Sequence, residues 1–174
     1  YLRGGTLSFS PQINEAATPI GSFETATHLL AFDADADAAL ELLVADAAGV
    51  HVLDRADTTW TPTTLPMPAA PRDVLVVDIE SDHDHDLLVV DATGATWLST
   101  NADGFGPLEP WPIPVNGLDV LRIVALDIDR DHDLDLAVYH RTGAVLLNNL
   151  RQGTFVAAGL TSTATTAPRG DFDL

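Results

Sequence analysis

The stretch that decides the fold runs from Val74 to Asp91 and reads VLVVDIESDHDHDLLVVD. Two apolar runs of four residues each, built from valine and leucine, flank a loop that is crowded with acids. Apolar runs this short, bounded by Asp, are typical of β-strands, because a helix needs about 10–12 residues. The stretch therefore predicts a β-hairpin with an acidic connecting loop.

The same pattern occurs three times along the chain. The loops begin at Asp33, Asp78 and Asp127, so that the second follows the first by 45 residues and the third follows the second by 49. A glycine follows each leading acid by 16 residues and a leucine follows it by 20. A fixed period of this length is typical of repeat architectures.

The two ends of the chain carry fragments of the same pattern. The sequence LRGGT at 2–6 is similar to LRQGT at 150–154, and Asp171 begins a further loop. We therefore predict one repeat domain over 1–174, incomplete at both ends. We call each structural repeat a blade. The predicted parts are the end of a preceding blade at 1–26, three blades at 27–71, 72–120 and 121–165, and the start of a next blade at 166–174.

Each repeat predicts four strands. The first ends at the leading acid, the second follows the acidic loop, the third follows the glycine, and the fourth is a weak, Pro- and Thr-rich outer strand. Four antiparallel strands in about 45 residues predict an all-β fold, a β-propeller or part of one, with the acidic loop between the first and second strands. We expect the apolar first strand to be covered on both faces. A two-layer sandwich is the competing architecture, and the fixed repeat phase argues against it.

Composition excludes several classes of protein. The 26 acids and 8 bases, all arginine, give a net charge of −18, which excludes the basic face that nucleic-acid binding requires. A hydrophobic fraction of 46% excludes a disordered acidic tail, and the absence of cysteine excludes disulfides and thiol chemistry. No apolar run approaches the roughly 18–20 residues of a membrane span.

The acidic loops predict metal sites. Counted from its leading acid, each loop carries an acid at positions 1, 3, 5 and 9, and the backbone carbonyl at position 7 adds a further oxygen. The predicted ligands are Asp33, Asp35, Asp37, Ala39 and Glu41 in the first loop, Asp78, Glu80, Asp82, Asp84 and Asp86 in the second, and Asp127, Asp129, Asp131, Asp133 and Asp135 in the third. Such an oxygen cage suits Ca²⁺. Two carboxylates about 4 Å apart repel by roughly 4 kcal/mol near the surface, so a cation would relieve the loop. A solvated acidic turn is the alternative.

This loop resembles that of the FG-GAP/VCBS repeat family, Asp-x-Asp-x-Asp-Gly-x-x-Asp-Leu between two apolar strands, and the resemblance covers essentially the whole chain. It implies Ca²⁺-binding propeller blades, as in integrin α-chain heads, and an extracytoplasmic location: secreted, periplasmic or at the cell surface. The family's glycine at position 6 is replaced here by Ala38, His83 and His132. We expect up to three Ca²⁺ sites, one in each loop. The site in the first loop should be the weakest, because alanine tolerates a left-handed backbone poorly.

Function is predicted from what the motifs lack. No nucleophile elbow or phosphate-binding loop occurs, so we predict no catalytic residue and no enzyme activity. We expect a non-catalytic, calcium-stabilised propeller segment that acts as a protein-interaction, adhesion or scaffold module. The alternatives are an accessory subunit of a larger surface or membrane-associated complex, and the non-catalytic part of a propeller-bearing hydrolase or lyase.

The predicted partner is another protein or the remainder of a longer chain, because an incomplete propeller leaves sheet edges unpaired. Histidines inside the loops could instead indicate a transition metal, although the acids around them favour a hard cation. His51 and His140 are expected to be packed or hydrogen-bonded. Trp60, Trp97 and Trp111 could stack on a carbohydrate, but nothing else in the sequence supports one, and we expect them to pack within the fold.

Overall fold

A computed structural model describes most of the chain, and every element below lies within that part. The described residues are 5–9, 18–23, 25–35, 37–56, 59–101, 104–111, 113–114, 117–151 and 153–162. The predicted start of a further repeat at 166–174 lies outside these residues. So do 1–4, 10–17 and 24 of the predicted N-terminal part.

The described residues form fourteen strands and no helix. The first two are β1 (Gly5–Phe9) and β2 (Thr18–Phe23). The next eight are β3 (His28–Phe32), β4 (Glu41–Asp46), β5 (Gly49–Ala56), β6 (Thr59–Pro66), β7 (Pro71–Val77), β8 (Asp86–Asp91), β9 (Thr96–Ser99) and β10 (Glu109–Pro110). The last four are β11 (Val120–Leu126), β12 (Asp135–His140), β13 (Gly143–Asn149) and β14 (Phe155–Ser162).

Each repeat forms one antiparallel sheet whose strands lie side by side in sequence order. The first sheet is β3–β6, the second is β7–β10 and the third is β11–β14, while β1 and β2 pair as a separate two-stranded sheet. The prediction of an all-β fold with antiparallel four-stranded sheets is confirmed. The described residues contain no helix that is long and apolar enough to span a membrane.

Glycine turns set the hairpin between the second and third strands. Gly94 has a φ of 86°, and a Cβ there would lie 2.8 Å from the backbone nitrogen of Val120. Gly49 has a φ of 145°, and its Cβ would lie 2.4 Å from the carbonyl oxygen of Leu65. Both turns therefore require a residue without a side chain. This is the physical reason for the recurring glycine in the first two repeats; the third, Gly143, does not have a positive φ.

The sheets pack face to face through two opposite apolar surfaces. We call the side of a sheet that meets the following sheet its forward face, and the side that meets the preceding one its backward face. The forward face of the first sheet (Phe32, Leu43) packs on the backward face of the second (Leu87, Val89) in one buried cluster. The second and third sheets repeat this arrangement at the equivalent positions. Two layers of core side chains thus lie between three sheets.

The N-terminal strand β2 covers part of the backward face of the first sheet. Phe23 and Ile20 of β2 pack on Val44 and Leu53 in a third apolar cluster. Leu29 on β3, the first strand of this sheet, is 45% exposed. The cover is therefore incomplete at the first strand of the sheet.

Polar contacts fix the second sheet to the third. The guanidinium of Arg72 donates to Asp119 Oδ1 at 2.7 Å, to the carbonyl of Val120 at 2.6 Å and to the carbonyl of Ala92. Asp73 on β7 accepts from the backbone N–H of Ile123 on β11 at 2.9 Å. The first strands of the second and third sheets are therefore held close together.

One prediction about the first strands is wrong. They were expected to be covered on both faces, yet Val124 and Leu126 of β11 are 39% and 37% exposed. The equivalent Val77 of β7 is only 3% exposed because the third sheet covers it. Coverage thus depends on a following sheet, which the repeat pattern alone does not supply.

Candidate metal centre

All three acidic loops fold back on their leading carboxylate. The acid at position 1 accepts a hydrogen bond from inside its own loop: Asp33 from Ala38 N at 3.1 Å, Asp78 from His83 N at 3.0 Å, and Asp127 from Arg130 N at 2.7 Å. In each loop the acid at position 5 also accepts from the N–H of position 7. These bonds wrap the loop around its leading carboxylate.

Position 6 is left-handed in every loop. The φ angles are 70° at Ala38, 79° at His83 and 77° at His132. Glycine enters this left-handed region most easily, yet alanine and histidine adopt it here. At Ala38 the cost of a left-handed alanine, about 1–2 kcal/mol, is borne by the rest of the loop.

Carboxylates converge in the first and third loops. Asp33, Asp35 and Asp37 offer oxygens that all lie within 4.8 Å of one another, and so do Asp127, Asp129 and Asp135. Ca²⁺ binds oxygens at about 2.3–2.6 Å, so two ligands on opposite sides of one ion lie about 5 Å apart. Each group therefore fits around a single ion of that size.

Each loop holds a buried carboxylate oxygen without a hydrogen-bond partner, at Asp33, Asp84 and Asp133. Asp33 Oδ1 is buried and has no hydrogen-bond partner, although Asp33 Oδ2 accepts from Ala38. A buried carboxylate oxygen without a partner is costly. A bound cation would remove that cost, so the donor set fits a hard metal ion.

The second loop is arranged differently. Both oxygens of Asp78 accept backbone hydrogen bonds, from Asp82 N at 3.1 Å and from His83 N at 3.0 Å. Burial, together with the neighbouring carboxyl of Asp86, raises the pKa of Glu80 to about 7. Burial and the adjacent Asp82 likewise raise the pKa of Asp84 to about 6. Glu80 is hydrogen-bonded to Asp86 in this loop, whereas the first and third loops each gather three carboxylates.

The acid at position 9 belongs to the core as much as to the loop. Glu41, Asp86 and Asp135 are 4%, 0% and 0% exposed. Each accepts from the backbone N–H of position 2 of its own loop: Ala34 at 2.5 Å, Ile79 at 3.0 Å and Ile128 at 2.8 Å. Burial raises the pKa of Glu41 and of Asp86. This carboxylate closes the loop and ties it to the second strand.

Two asparagines that we did not predict connect neighbouring loops. The N–H of Asn149 donates to Asp135 at 2.9 Å, and its Nδ2 donates to the carbonyl of Ile79 in the preceding loop at 3.3 Å. Asn101 makes the same pair of contacts one repeat earlier, to Asp86 and to the carbonyl of Ala34. We call this the asparagine link. Its sequence signal is an Asn two or three residues after the leucine that recurs in each repeat, here Leu98 and Leu147.

A hydrogen-bonded row of Thr64, His51 and Asp46 in the first sheet resembles a catalytic triad. His51 lies 3.0 Å from Thr64 Oγ1 and 2.9 Å from Asp46 Oδ1. Against the cost of burial, the bonds from His51 and from the Ala48 N–H lower the pKa of Asp46. In the second sheet the equivalent Asp91 accepts from the indole of Trp97 at 2.9 Å. The shared feature is an aspartate that fixes the turn, and a hydrogen-bonded His51 is confirmed.

Two other histidines and one tryptophan have structural contacts. His85 Nδ1 lies 3.1 Å from the carbonyl of Asp33, and His140 Nδ1 lies 3.0 Å from Thr142 Oγ1. Trp111 packs edge-on against Phe155, with ring centroids 5.4 Å apart. Within the part of the chain that the structure describes, no histidine joins either acidic group.

A scan against protein-family models gave no match for the chain, and a search of curated proteins gave no significant match either.

Proposed function

We propose that the chain is a non-catalytic, calcium-stabilised segment of a β-propeller of the FG-GAP/VCBS kind, which serves outside the cytoplasm as a protein-interaction, adhesion or scaffold module. The observation that carries this proposal is the convergence of carboxylate oxygens in the first and third loops. The repeated sheets support it, since each supplies the same loop between its first and second strands.

The proposed metal acts on structure. Asp33, Asp35 and Asp37 would hold one ion and Asp127, Asp129 and Asp135 another, and each ion would neutralise charge that otherwise opposes folding. Both groups lie on turns that join strands, and at least one carboxylate of the third group, Asp135, is also bonded to the core. Metal binding would therefore stabilise a whole sheet.

The blade arrangement in the proposal rests on how the sheets meet. Their first strands approach one another through β7 and β11, where Asp73 accepts from Ile123. Successive sheets also repeat one face-to-face contact. Repetition of such a contact around an axis generates a propeller.

Thermal unfolding with Ca²⁺, with Mg²⁺ and with a chelator tests the metal role. An ion at a hundred times its dissociation constant stabilises the folded state by about 2.7 kcal/mol per site, or a rise in Tm of about 5–10 °C for a chain of this size. Asp127→Asn should lose part of this rise. The control Glu109→Gln, at an exposed acid on β10, should retain it. A melting transition that Ca²⁺ leaves unchanged would refute the proposal.

A further inference from the structure

The forward face of the third sheet is apolar and open. Val124, Leu126 and Ile128 are 39%, 37% and 40% exposed. They occupy alternate positions along β11 and into its loop, so their side chains point to the same side of the sheet. The three form a continuous aliphatic row.

The same row is buried in the other two sheets. Its members in the second sheet are Leu75, Val77 and Ile79, of which Val77 and Ile79 are 3% and 2% exposed. They pack on Leu136 and Val138 of the third sheet. In the first sheet, Phe32 and Ala34 occupy these positions, are each 9% exposed and pack on the second sheet. The row is thus an interface wherever a sheet follows it.

We propose that the forward face of the third sheet, the row of Val124, Leu126 and Ile128, is the docking surface for a further unit of the same repeat. The proposal identifies the partner that the proposed interaction role requires, but it rests on apolar packing and not on the metal loops. The unit presents the backward face seen in the second and third sheets. That face carries aliphatic residues on its second and third strands.

The asparagine link adds a polar requirement. At both interfaces between described sheets, a side-chain amide of the following sheet donates to the carbonyl at position 2 of the preceding loop, at Ala34 and at Ile79. The equivalent carbonyl in the third loop belongs to Ile128. The docking unit therefore carries an amide side chain shortly after its third strand, aimed at that carbonyl.

A second copy of the chain fits this surface less well. The backward face of its first sheet is already packed against Phe23. Two forward faces placed against each other would leave the carbonyl of Ile128 without the amide donor that is present at both described interfaces. A separate repeat unit avoids both conflicts.

Thiol labelling tests the proposal, because the chain contains no cysteine. Leu126→Cys places a single thiol on the row, and Val77→Cys places one at the buried equivalent. A further repeat unit is supplied by appending a copy of residues 131–165 directly after Leu174. Leu174 is position 4 of the loop that begins at Asp171, and residue 131 is position 5 of the third loop, so the copy continues the repeat in register. We expect the copy to slow labelling of the Leu126→Cys thiol at least tenfold, since the exposures of the two positions are 37% and 3%.

The control is a copy in which the residues equivalent to Leu136 and Val138 are replaced by Asp, which should leave the labelling rate unchanged. An intact copy that folds without slowing the labelling overturns the proposal. So does labelling of Leu126→Cys that slows with protein concentration, which identifies a second copy as the occupant. Labelling as slow as that of Val77→Cys in the 174-residue chain also overturns it.

A second pair of variants keeps the proposal falsifiable if the extended chain does not fold. In the 174-residue chain, Leu126→Asp should retain a cooperative transition, whereas Val77→Asp should abolish it. A loss of the transition in Leu126→Asp shows that the row is already covered and contradicts the proposal. All labelling is repeated in Ca²⁺ and in chelator. Thiol protection that persists without a metal effect refutes the proposed metal role alone.

Discussion

Replacement of Glu80 by glutamine should stabilise the metal-free chain at pH 8 and have little effect at pH 5. Burial and the carboxyl of Asp86 raise the pKa of Glu80 from 4.5 to about 7. The folded state therefore holds a proton that the unfolded chain releases. That contribution to stability is complete below pH 4.5 and is lost as the pH rises through 7.

The magnitude follows from the two pKa values. The difference between about 7 and 4.5 corresponds to about 3 kcal/mol. Because Glu80 is partly exposed, solvent screening reduces this to about 1–2 kcal/mol. Glutamine is neutral at every pH and avoids the loss. Glu80→Gln should therefore raise Tm at pH 8 by about 3–6 °C in chelator.

Thermal unfolding from pH 5 to pH 8, followed by circular dichroism, measures the difference. Every other titratable group is present in both proteins, so its contribution cancels in the comparison, and Glu109→Gln is the exposed control. In Ca²⁺ the effect should reverse if the second loop binds the ion, because Glu80→Gln removes a ligand charge. A wild-type Tm that rises between pH 5 and 8 in chelator, or a Glu80→Gln difference that does not depend on pH, would show the reasoning to be wrong.

Three further substitutions test the loops and the contacts between sheets, each by chemical denaturation. Ala38→Gly should stabilise the chain by about 0.5–1 kcal/mol, because glycine adopts the left-handed backbone without the strain that alanine has there. The control Ala39→Gly should destabilise the chain by about as much. Equal effects of the two substitutions would contradict the loop geometry. Arg72→Ala should cost about 2–3 kcal/mol through its three acceptors, against less than about 1 kcal/mol for Arg141→Ala, whose side chain is 69% exposed, and the opposite order would refute this. Asn149→Ala should cost about 2–4 kcal/mol because it leaves buried carbonyls unpaired, and a neutral result would remove the asparagine link from the fold.

The strand pattern could be predicted from sequence because it is local. Runs of valine and leucine between an acid and a glycine, as in Leu87–Val90, determine a strand without help from distant residues. The first three strands of each repeat were found where predicted. The weak fourth strand is shortest in the second repeat, where β10 covers only Glu109–Pro110, because its Pro- and Gly-rich segment carries little alternation.

The loops could be predicted only in part. Acids at alternate positions indicated a cage, but which carboxylates converge depends on side-chain length and on buried neighbours. Glu80 was counted as equivalent to Asp35 and Asp129, yet it reaches Asp86. The asparagine link could not be predicted either, because Asn101 and Ala34 are 67 residues apart and the contact exists only after the sheets have packed.

The asparagine link also bears on the order in which the chain can fold as it leaves the ribosome. The loop that begins at Asp33 is completed only by Asn101, and the one that begins at Asp78 only by Asn149, 70 residues after the carbonyl of Ile79 that it contacts. Each repeat therefore emerges with its loop unfinished and waits for the third strand of its successor. Synthesis at about 5–20 residues per second makes that delay several seconds per repeat. During this time the preceding forward face is uncovered, so its aliphatic row is the surface on which a nascent chain is most exposed to misassembly.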